Sequence, residues 1–191
     1  MIKHLITRIV FSAVLSVGIT SAVIAQDKVK IKDLRKNCVK GSYSTCIHLS
    51  LKYLKQDPDD FEATYILAQS YAGRSIELHE AFDKHVKEHA TMTEKDYADE
   101  LDLLNNTITC NDSAAFYFEK SSPLLTESFI KKNVQACTVG MGICYNEFSK
   151  GTTLESAKKF IASETKRFQD SSTFTKKTVE KVTADSKTKK K

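Results

Sequence analysis

Glycine and proline are scarce in this chain, whose 191 residues include six glycines and two prolines. Alternating β-branched segments are also scarce. Short strands joined by glycine- and proline-rich turns are typical of all-β domains, so their scarcity argues against that class. Apolar residues instead recur at helical spacing, as Tyr43, Ile47, Leu51 and Leu54 do. The sequence therefore predicts an all-α fold of helices joined by short turns.

Common catalytic motifs are missing as well. The chain has no C-x-x-C pair, no glycine-rich phosphate-binding loop and no G-x-S-x-G motif. Two S-x-x-K matches, at 128–131 and 156–159, lack the companion motifs of penicillin-binding enzymes and are expected by chance in a lysine-rich helical chain. We therefore predict that the protein is not an enzyme, and we assign it no cofactor.

The first 25 residues have the layout of a secretory signal peptide. Lys3 and Arg8 make the start basic, an apolar run covers 9–23, and Val23-Ile24-Ala25 forms a small-x-small cleavage site. The apolar run is shorter than the roughly 20 residues that a membrane-spanning helix needs. We predict cleavage after Ala25 and a periplasmic or secreted protein. An uncleaved membrane anchor is the alternative.

Positive charge is concentrated at the C-terminal end. The formal net charge of the chain is +5, and the last sixteen residues alone carry seven lysines against Glu180 and Asp185. A nucleic-acid-binding domain would concentrate positive charge on its folded surface, so we expect no nucleic-acid partner. Residues 170–191 hold few apolar side chains and are predicted to form a disordered lysine-rich tail, with a frayed helix over part of 173–184 as the alternative. The alternative role for this tail is contact with an acidic surface such as a membrane.

A repeat-like pattern covers residues 41–82. It consists of Gly41-Ser42-Tyr43 at a turn, then Ile47, Lys52 and Leu54, then Asp57-Pro58-Asp59, and finally Glu62, Ala63, Leu67, Ala68 and Tyr71. This pattern resembles the tetratricopeptide repeat family, and a weaker match lies at 142–160. The resemblance implies a short solenoid of antiparallel helical hairpins over residues 26–169. A non-repetitive helical bundle is the alternative.

The five cysteines are Cys38, Cys46, Cys110, Cys137 and Cys144. Two pairs flank predicted turns, a placement that resembles the exported, cysteine-rich Sel1-like repeat proteins. That resemblance implies disulfides Cys38–Cys46 and Cys137–Cys144, with Cys110 left over. The alternative is that the cysteines are buried and reduced.

The same resemblance implies a partner-binding concave face lined by the first helices of the hairpins. Carried over through the motif, this face would hold Ile31, Arg35, Glu62, Tyr65 and Gln69. For Tyr65 the alternative is packing beneath the neighbouring hairpin. We therefore predict an exported helical-repeat protein that binds a protein or peptide partner. The alternative is a small disulfide-stapled inhibitor or immunity protein that blocks a hydrolase. The sequence leaves the oligomeric state open.

Residues 85–89 read H-x-x-E-H, the inverted zinc-protease motif. Two histidines at i and i+4 can ligate one metal, and Glu164 is a conceivable third ligand. However, the chain is far smaller than the catalytic domains of that protease family, and the histidines continue the apolar stripe of Leu78 and Phe82. We predict packing or surface histidines and assign no metal. Metal binding without catalysis is the alternative.

Overall fold

The computed structural model describes residues 28–89, 91–138, 148 and 150–188. Within them the chain forms six α-helices and no strand: α1 Ile31–Val39, α2 Tyr43–Leu54, α3 Phe61–Glu88, α4 Glu94–Ser121, α5 Glu127–Thr138 and α6 Leu154–Thr188. The all-α prediction is confirmed for this part of the chain. None of these helices has both the length and the apolar character needed to cross a bilayer. The proposed signal peptide at 1–25 lies outside the described residues and stays a prediction.

The core lies around the first half of α3. Helices α1 and α2 pack on this half, α4 packs along α3, and α6 packs along α4. Nearly every residue from Phe61 to Ala72 is buried, as expected for a helix covered on all sides. Aromatic rings from four helices and from Phe148, which lies between α5 and α6, fill the centre. The helical rings belong to Phe61, Tyr65, Phe118, Phe129 and Phe168.

Local side chains explain where several helices begin. Asp60 accepts a hydrogen bond from the backbone N–H of Ala63 at 2.8 Å, which caps α3. Thr93 and Asp96 form a reciprocal capping box at the start of α4. Gly41, with φ of 70°, makes the turn between α1 and α2 in a conformation that favours glycine.

The capping box at the start of α6 is displaced by one residue from the predicted one. The sequence pattern puts it at Thr152 and Glu155. In the structure the Thr153 hydroxyl accepts from the Ser156 N–H at 3.1 Å, and the Ser156 hydroxyl accepts from the Thr153 N–H at 2.9 Å. Serine replaces glutamate as the reciprocal partner, so the helix begins at Leu154.

Helices α3 and α4 are each 28 residues long, although Gly73 in α3 and Asn111-Asp112 in α4 are typical of helix ends and predict a break in each segment. Gly73 lies inside α3 and does not end it. The ring of Tyr43 packs directly against Gly73 and leaves no room for a side chain, which explains why glycine occupies this position. Asn111 does not open a new helix, because its side chain is buried and accepts a hydrogen bond from Ser75 at 2.5 Å. Gly73 and Asn111 therefore take part in contacts between helices and do not mark helix ends.

The prediction of a disordered tail is corrected for residues 170–188, which continue α6 without a break. Ser172 and Thr175 are buried, and Lys176 pairs with Asp112 of α4 at 3.2 Å. Small hydroxyl side chains let two helices approach closely, and Thr175 satisfies its hydroxyl on the Ser171 carbonyl at 2.9 Å. The expected boundary at 169–170 thus falls inside a helix.

Candidate binding cleft and histidine cluster

Arg35 and Glu62, two residues of the predicted partner-binding face, contact each other. The Nε and Nη2 atoms of Arg35 donate to the two carboxylate oxygens of Glu62, each at 2.6 Å. Such a two-pronged, charge-assisted pair has a fixed geometry. It ties α1 to the start of α3, and the Glu62 side chain is mostly buried in it.

Tyr65 does not lie on a surface. Its side chain is 1% exposed, and its ring meets those of Phe118 at 5.6 Å and Phe148 at 5.7 Å between centroids. Tyr65 is therefore packed in the core between α4 and Phe148, which agrees with the alternative that its ring packs beneath a neighbouring element. Ile31 and Gln69 are half-buried, and Ile31 packs against the core. The structure leaves no exposed Tyr65 ring for a partner.

Cys38 and Cys46 are free thiols, so the predicted disulfide between them is not present. The turn at Gly41 does bring the two side chains into hydrogen-bond contact. Cys46 is fully buried at the crossing of α1 and α2, with its sulfur 3.4 Å from the Leu34 carbonyl oxygen. The two cysteines are close because only one turn separates them in the chain. Whether they form a disulfide depends on the redox potential of their surroundings. Cys110 is also a free, buried thiol.

The two thiols titrate as a pair. The hydrogen bond from Cys38 lowers the pKa of Cys46, helped by the hydroxyls of Ser70 and Ser50. The hydrogen bond to Cys46 and burial raise the pKa of Cys38. A thiolate at one sulfur therefore holds the proton on the other. The second predicted disulfide cannot be placed, because the side chain of Cys137 and all of Cys144 lie outside the described residues.

A cleft of about 560 Å³ lies between the second half of α3, the middle of α4 and the middle of α6. Its walls are formed by Ser75, Ile76, His79, Glu80, Thr107, Asn111, Arg167, Phe168, Asp170, Ser171, Phe174 and Thr175. We call this feature the α3–α4–α6 cleft. It shares no residue with the predicted partner-binding face.

The α3–α4–α6 cleft combines apolar rims with a polar floor. Phe174 is 66% exposed and Ile76 is 50% exposed, so both offer apolar surface at the opening. Ser75 and Asn111 are buried and hydrogen-bonded to each other. The guanidinium of Arg167 lies 4.5 Å from the centre of the Phe168 ring, and such a stacked cation is held in place.

A second polar cluster lies where α3 ends and α4 begins. The rings of His85 and His89 stack with centroids 4.2 Å apart, and Nε2 of His89 lies 3.6 Å from Oδ1 of Asp96. One ligand atom from each of these three residues lies within 4.8 Å of the other two. We call these three residues the histidine cluster. Its third member comes from the next helix, whereas Glu164 lies on α6 and pairs with Arg167 at 2.6 Å.

Two carboxyl groups near the histidine cluster, those of Asp96 and Glu100, have pKa values shifted in opposite directions. Hydrogen bonds from the Thr93 hydroxyl and backbone N–H lower the pKa of Asp96, with smaller contributions from the two histidines. Burial raises the pKa of Glu100, which lies one turn further along α4 and is 5% exposed. Asp96 therefore stays a carboxylate more readily than Glu100 does.

Comparisons with family models, curated proteins and solved structures find no match for this chain. The functional argument therefore depends on the geometry of these sites.

Sequence reasoning missed the α3–α4–α6 cleft because one of its walls was assigned to the disordered tail. A signal was present in the spacing of Arg167, Ser171, Phe174 and Thr175, which continues the helical period beyond residue 170. Only one of these four residues is apolar. A search for apolar stripes therefore gives them little weight, although serine and threonine can line a helix interface.

Proposed function

We propose that this protein is an exported, non-catalytic helical protein that binds a peptide segment of a partner protein in the α3–α4–α6 cleft. The observation that carries the proposal is the cleft itself, with exposed Phe174 and Ile76 above the buried Ser75–Asn111 pair. The export part of the proposal rests on the sequence of residues 1–25.

The size and lining of the cleft suit a short peptide. Its volume of about 560 Å³ falls within the range of ligand-binding clefts, roughly 300–1,000 Å³. Apolar surface on Phe174 and Ile76 would contact one apolar side chain of the ligand. Hydroxyl and amide groups, including those of Ser171 and Asn111, would bond the peptide groups on either side. The matching ligand is an extended segment with an apolar residue between polar backbone groups.

The tetratricopeptide-like arrangement enters the proposal only for α1, α2 and the start of α3. Supporting it are the helical hairpin at Gly41 and the buried Cys46 at the helix crossing, where the family has a small residue. The long α3 and α4 do not divide into hairpins of repeat length. We propose the repeat relationship for this segment alone.

The test is selection of binding peptides from a random library displayed on phage, followed by affinity measurements on variants. Phe174→Ala should weaken the selected peptides by about tenfold or more, because it removes a central apolar contact. Phe116→Ala is the matched control, since Phe116 is an exposed phenylalanine at 58% that does not line the cleft. Its affinities should equal those of the unaltered protein.

Equal losses for Phe174→Ala and Phe116→Ala would contradict the assignment of the cleft. Peptides that bind both variants as well as the unaltered protein would also contradict it. If the natural partner is a single hydrolase that is blocked with 1:1 stoichiometry and unaffected by Phe174→Ala, the inhibitor alternative replaces this proposal.

A further inference from the structure

We propose that His85, His89 and Asp96 form a binding site for a divalent transition-metal ion of the zinc class. The site joins the C-terminal end of α3 to the N-terminal start of α4. It stands on its own geometry, independent of the proposed peptide-binding function, since the histidine cluster and the α3–α4–α6 cleft share no residue.

The two carboxylate oxygens of Asp96 face different partners. Its Oδ2 accepts hydrogen bonds from the backbone N–H and the hydroxyl of Thr93, each at 2.7 Å, and so completes the helix cap. Its Oδ1 faces Nε2 of His89 at 3.6 Å. The cap thus fixes the carboxylate and turns one oxygen towards the histidines, as the supporting contacts of a metal ligand do.

His89 is held with the correct nitrogen towards this carboxylate. Its Nδ1 lies 2.9 Å from the backbone carbonyl oxygen of His85, and a carbonyl only accepts, so Nδ1 carries the proton and donates it. Neutral imidazole then has its lone pair on Nε2, the atom that faces Asp96. A donor bond from the other ring nitrogen is the usual way in which metal-binding histidines are oriented.

His85 contributes a buried nitrogen that lacks a partner. Among the described residues, its Nε2 is inaccessible to solvent and has no hydrogen-bond partner. Buried polar atoms are normally bonded, so an unpaired one calls for a ligand. The i, i+4 spacing places the two rings on one face of α3, and their stacking at 4.2 Å holds both beside Asp96.

Two imidazoles and one carboxylate select among ions by their chemistry. Calcium and magnesium prefer six or more oxygen ligands, whereas imidazole suits zinc, nickel, copper and cobalt. Zinc bonds of about 2.0–2.2 Å place neighbouring ligand atoms roughly 3.3–3.6 Å apart in a tetrahedron, close to the His89–Asp96 separation. The remaining separations, up to 4.8 Å, require side-chain rotation of His85 towards the other two ligands.

The arrangement points to binding and not to proteolysis. Glu88, the acidic residue of the H-x-x-E-H motif, has a side chain that is 58% exposed and pairs with Lys84 at 3.8 Å. The third ligand is an aspartate from α4, which makes the ion a link between two helices. The ion therefore ties the C-terminal end of α3 to the start of α4, at the connected end of the α3–α4 hairpin.

The test is titration of the full chain with Co²⁺ and Zn²⁺, monitored by cobalt absorption and by competition for zinc with a chromophoric indicator. The unaltered protein should bind one ion at this site. His89→Gln and Asp96→Asn should each weaken it by about tenfold or more, since each removes one ligand. The Asn carbonyl can still accept the Thr93 cap, so helix α4 should persist, as circular dichroism would show.

His79→Gln is the matched control. His79 lies on the same helix and also has an aspartate at i+4, with Nε2 and the Asp83 oxygen 4.0 Å apart, but the pair is half-exposed. This variant should bind the ion as the unaltered protein does. At the same zinc concentration, the rise in unfolding temperature should be equal for the unaltered protein and His79→Gln and clearly smaller for His89→Gln.

The paired thiols are the competing site, and cobalt distinguishes the two. Thiolate ligands give intense charge-transfer bands, whereas histidine and carboxylate ligands give only weak d–d bands. Binding that His89→Gln and Asp96→Asn leave unchanged would overturn the proposal. So would a cobalt spectrum dominated by charge transfer that disappears in Cys38→Ser.

Discussion

The two halves of α3 are continuous in backbone but opposite in environment. From Phe61 to Ala72 the helix is buried nearly all round. From Arg74 onward most side chains are partly or fully exposed, and some form ion pairs such as Arg74–Glu77 and Lys84–Glu88. Helices α1 and α2 cover only the first half, through contacts such as Arg35–Glu62 and the ring of Tyr43 on Gly73. The neighbouring helices therefore set what each half of α3 does.

The buried first half of α3 contributes mainly to stability, whereas the candidate functional sites lie along the exposed second half. Aromatic packing is concentrated at the first half of α3, while the α3–α4–α6 cleft and the histidine cluster lie along the second half. Residues with few buried contacts can be used for binding without loss of the core. Substitutions in the first half should therefore affect unfolding, and substitutions in the second half should affect binding.

The largest effect is expected from Phe118→Ala. Phe118 is 2% exposed, and its ring meets those of Tyr65 and Phe168, so its removal leaves a cavity beside the first half of α3. The free energy of unfolding should fall by about 3–5 kcal/mol in urea denaturation. Phe116→Ala, two residues away and 58% exposed, should cost less than about 1 kcal/mol. Similar losses for both variants would show that the aromatic core is not where the structure places it.

A smaller effect is expected from Gly73→Ala, at the boundary between the two halves. The new methyl group would collide with the Tyr43 ring, so the free energy of unfolding should fall by roughly 1–2 kcal/mol. In a Tyr43→Ala background the same change should stabilise by up to about 1 kcal/mol, because alanine favours helix over glycine. A double-mutant cycle measured by denaturation checks this reversal of sign. Additive effects would mean that the ring does not rest on Gly73.

The smallest effect is expected from Glu62→Gln, which removes the carboxylate that binds Arg35. The pair is partly buried and two-pronged, so the loss in unfolding free energy should be about 1 kcal/mol. Glu77→Gln is the matched control, because Arg74–Glu77 is a half-exposed pair on the same helix and should be worth less than about 0.5 kcal/mol. Denaturation at low and high salt should show a difference between the two variants in both conditions. Equal effects would place Arg35–Glu62 among ordinary surface pairs.

Sequence reasoning reached the helical class and the proximity of Cys38 to Cys46, because both depend on residues close in the chain. It did not reach the α3–α4–α6 cleft or the third member of the histidine cluster. Asp96 lies on another helix from His85 and His89, and its approach depends on how α3 and α4 meet. Local sequence patterns carry no information about how these two helices are positioned relative to each other.

The sequence by itself determined the helical class, as found for the described residues, and the lysine-rich composition of the chain's end. Only the tertiary structure decided that Gly73 and Asn111 lie inside long helices, that Tyr65 is buried and that residues 170–188 pack as helix. The physical reason is the range of the interactions involved. Caps and helical periodicity act within one or two turns, whereas a glycine under a tyrosine ring or a serine against a neighbouring helix acquires its role from residues distant in the chain.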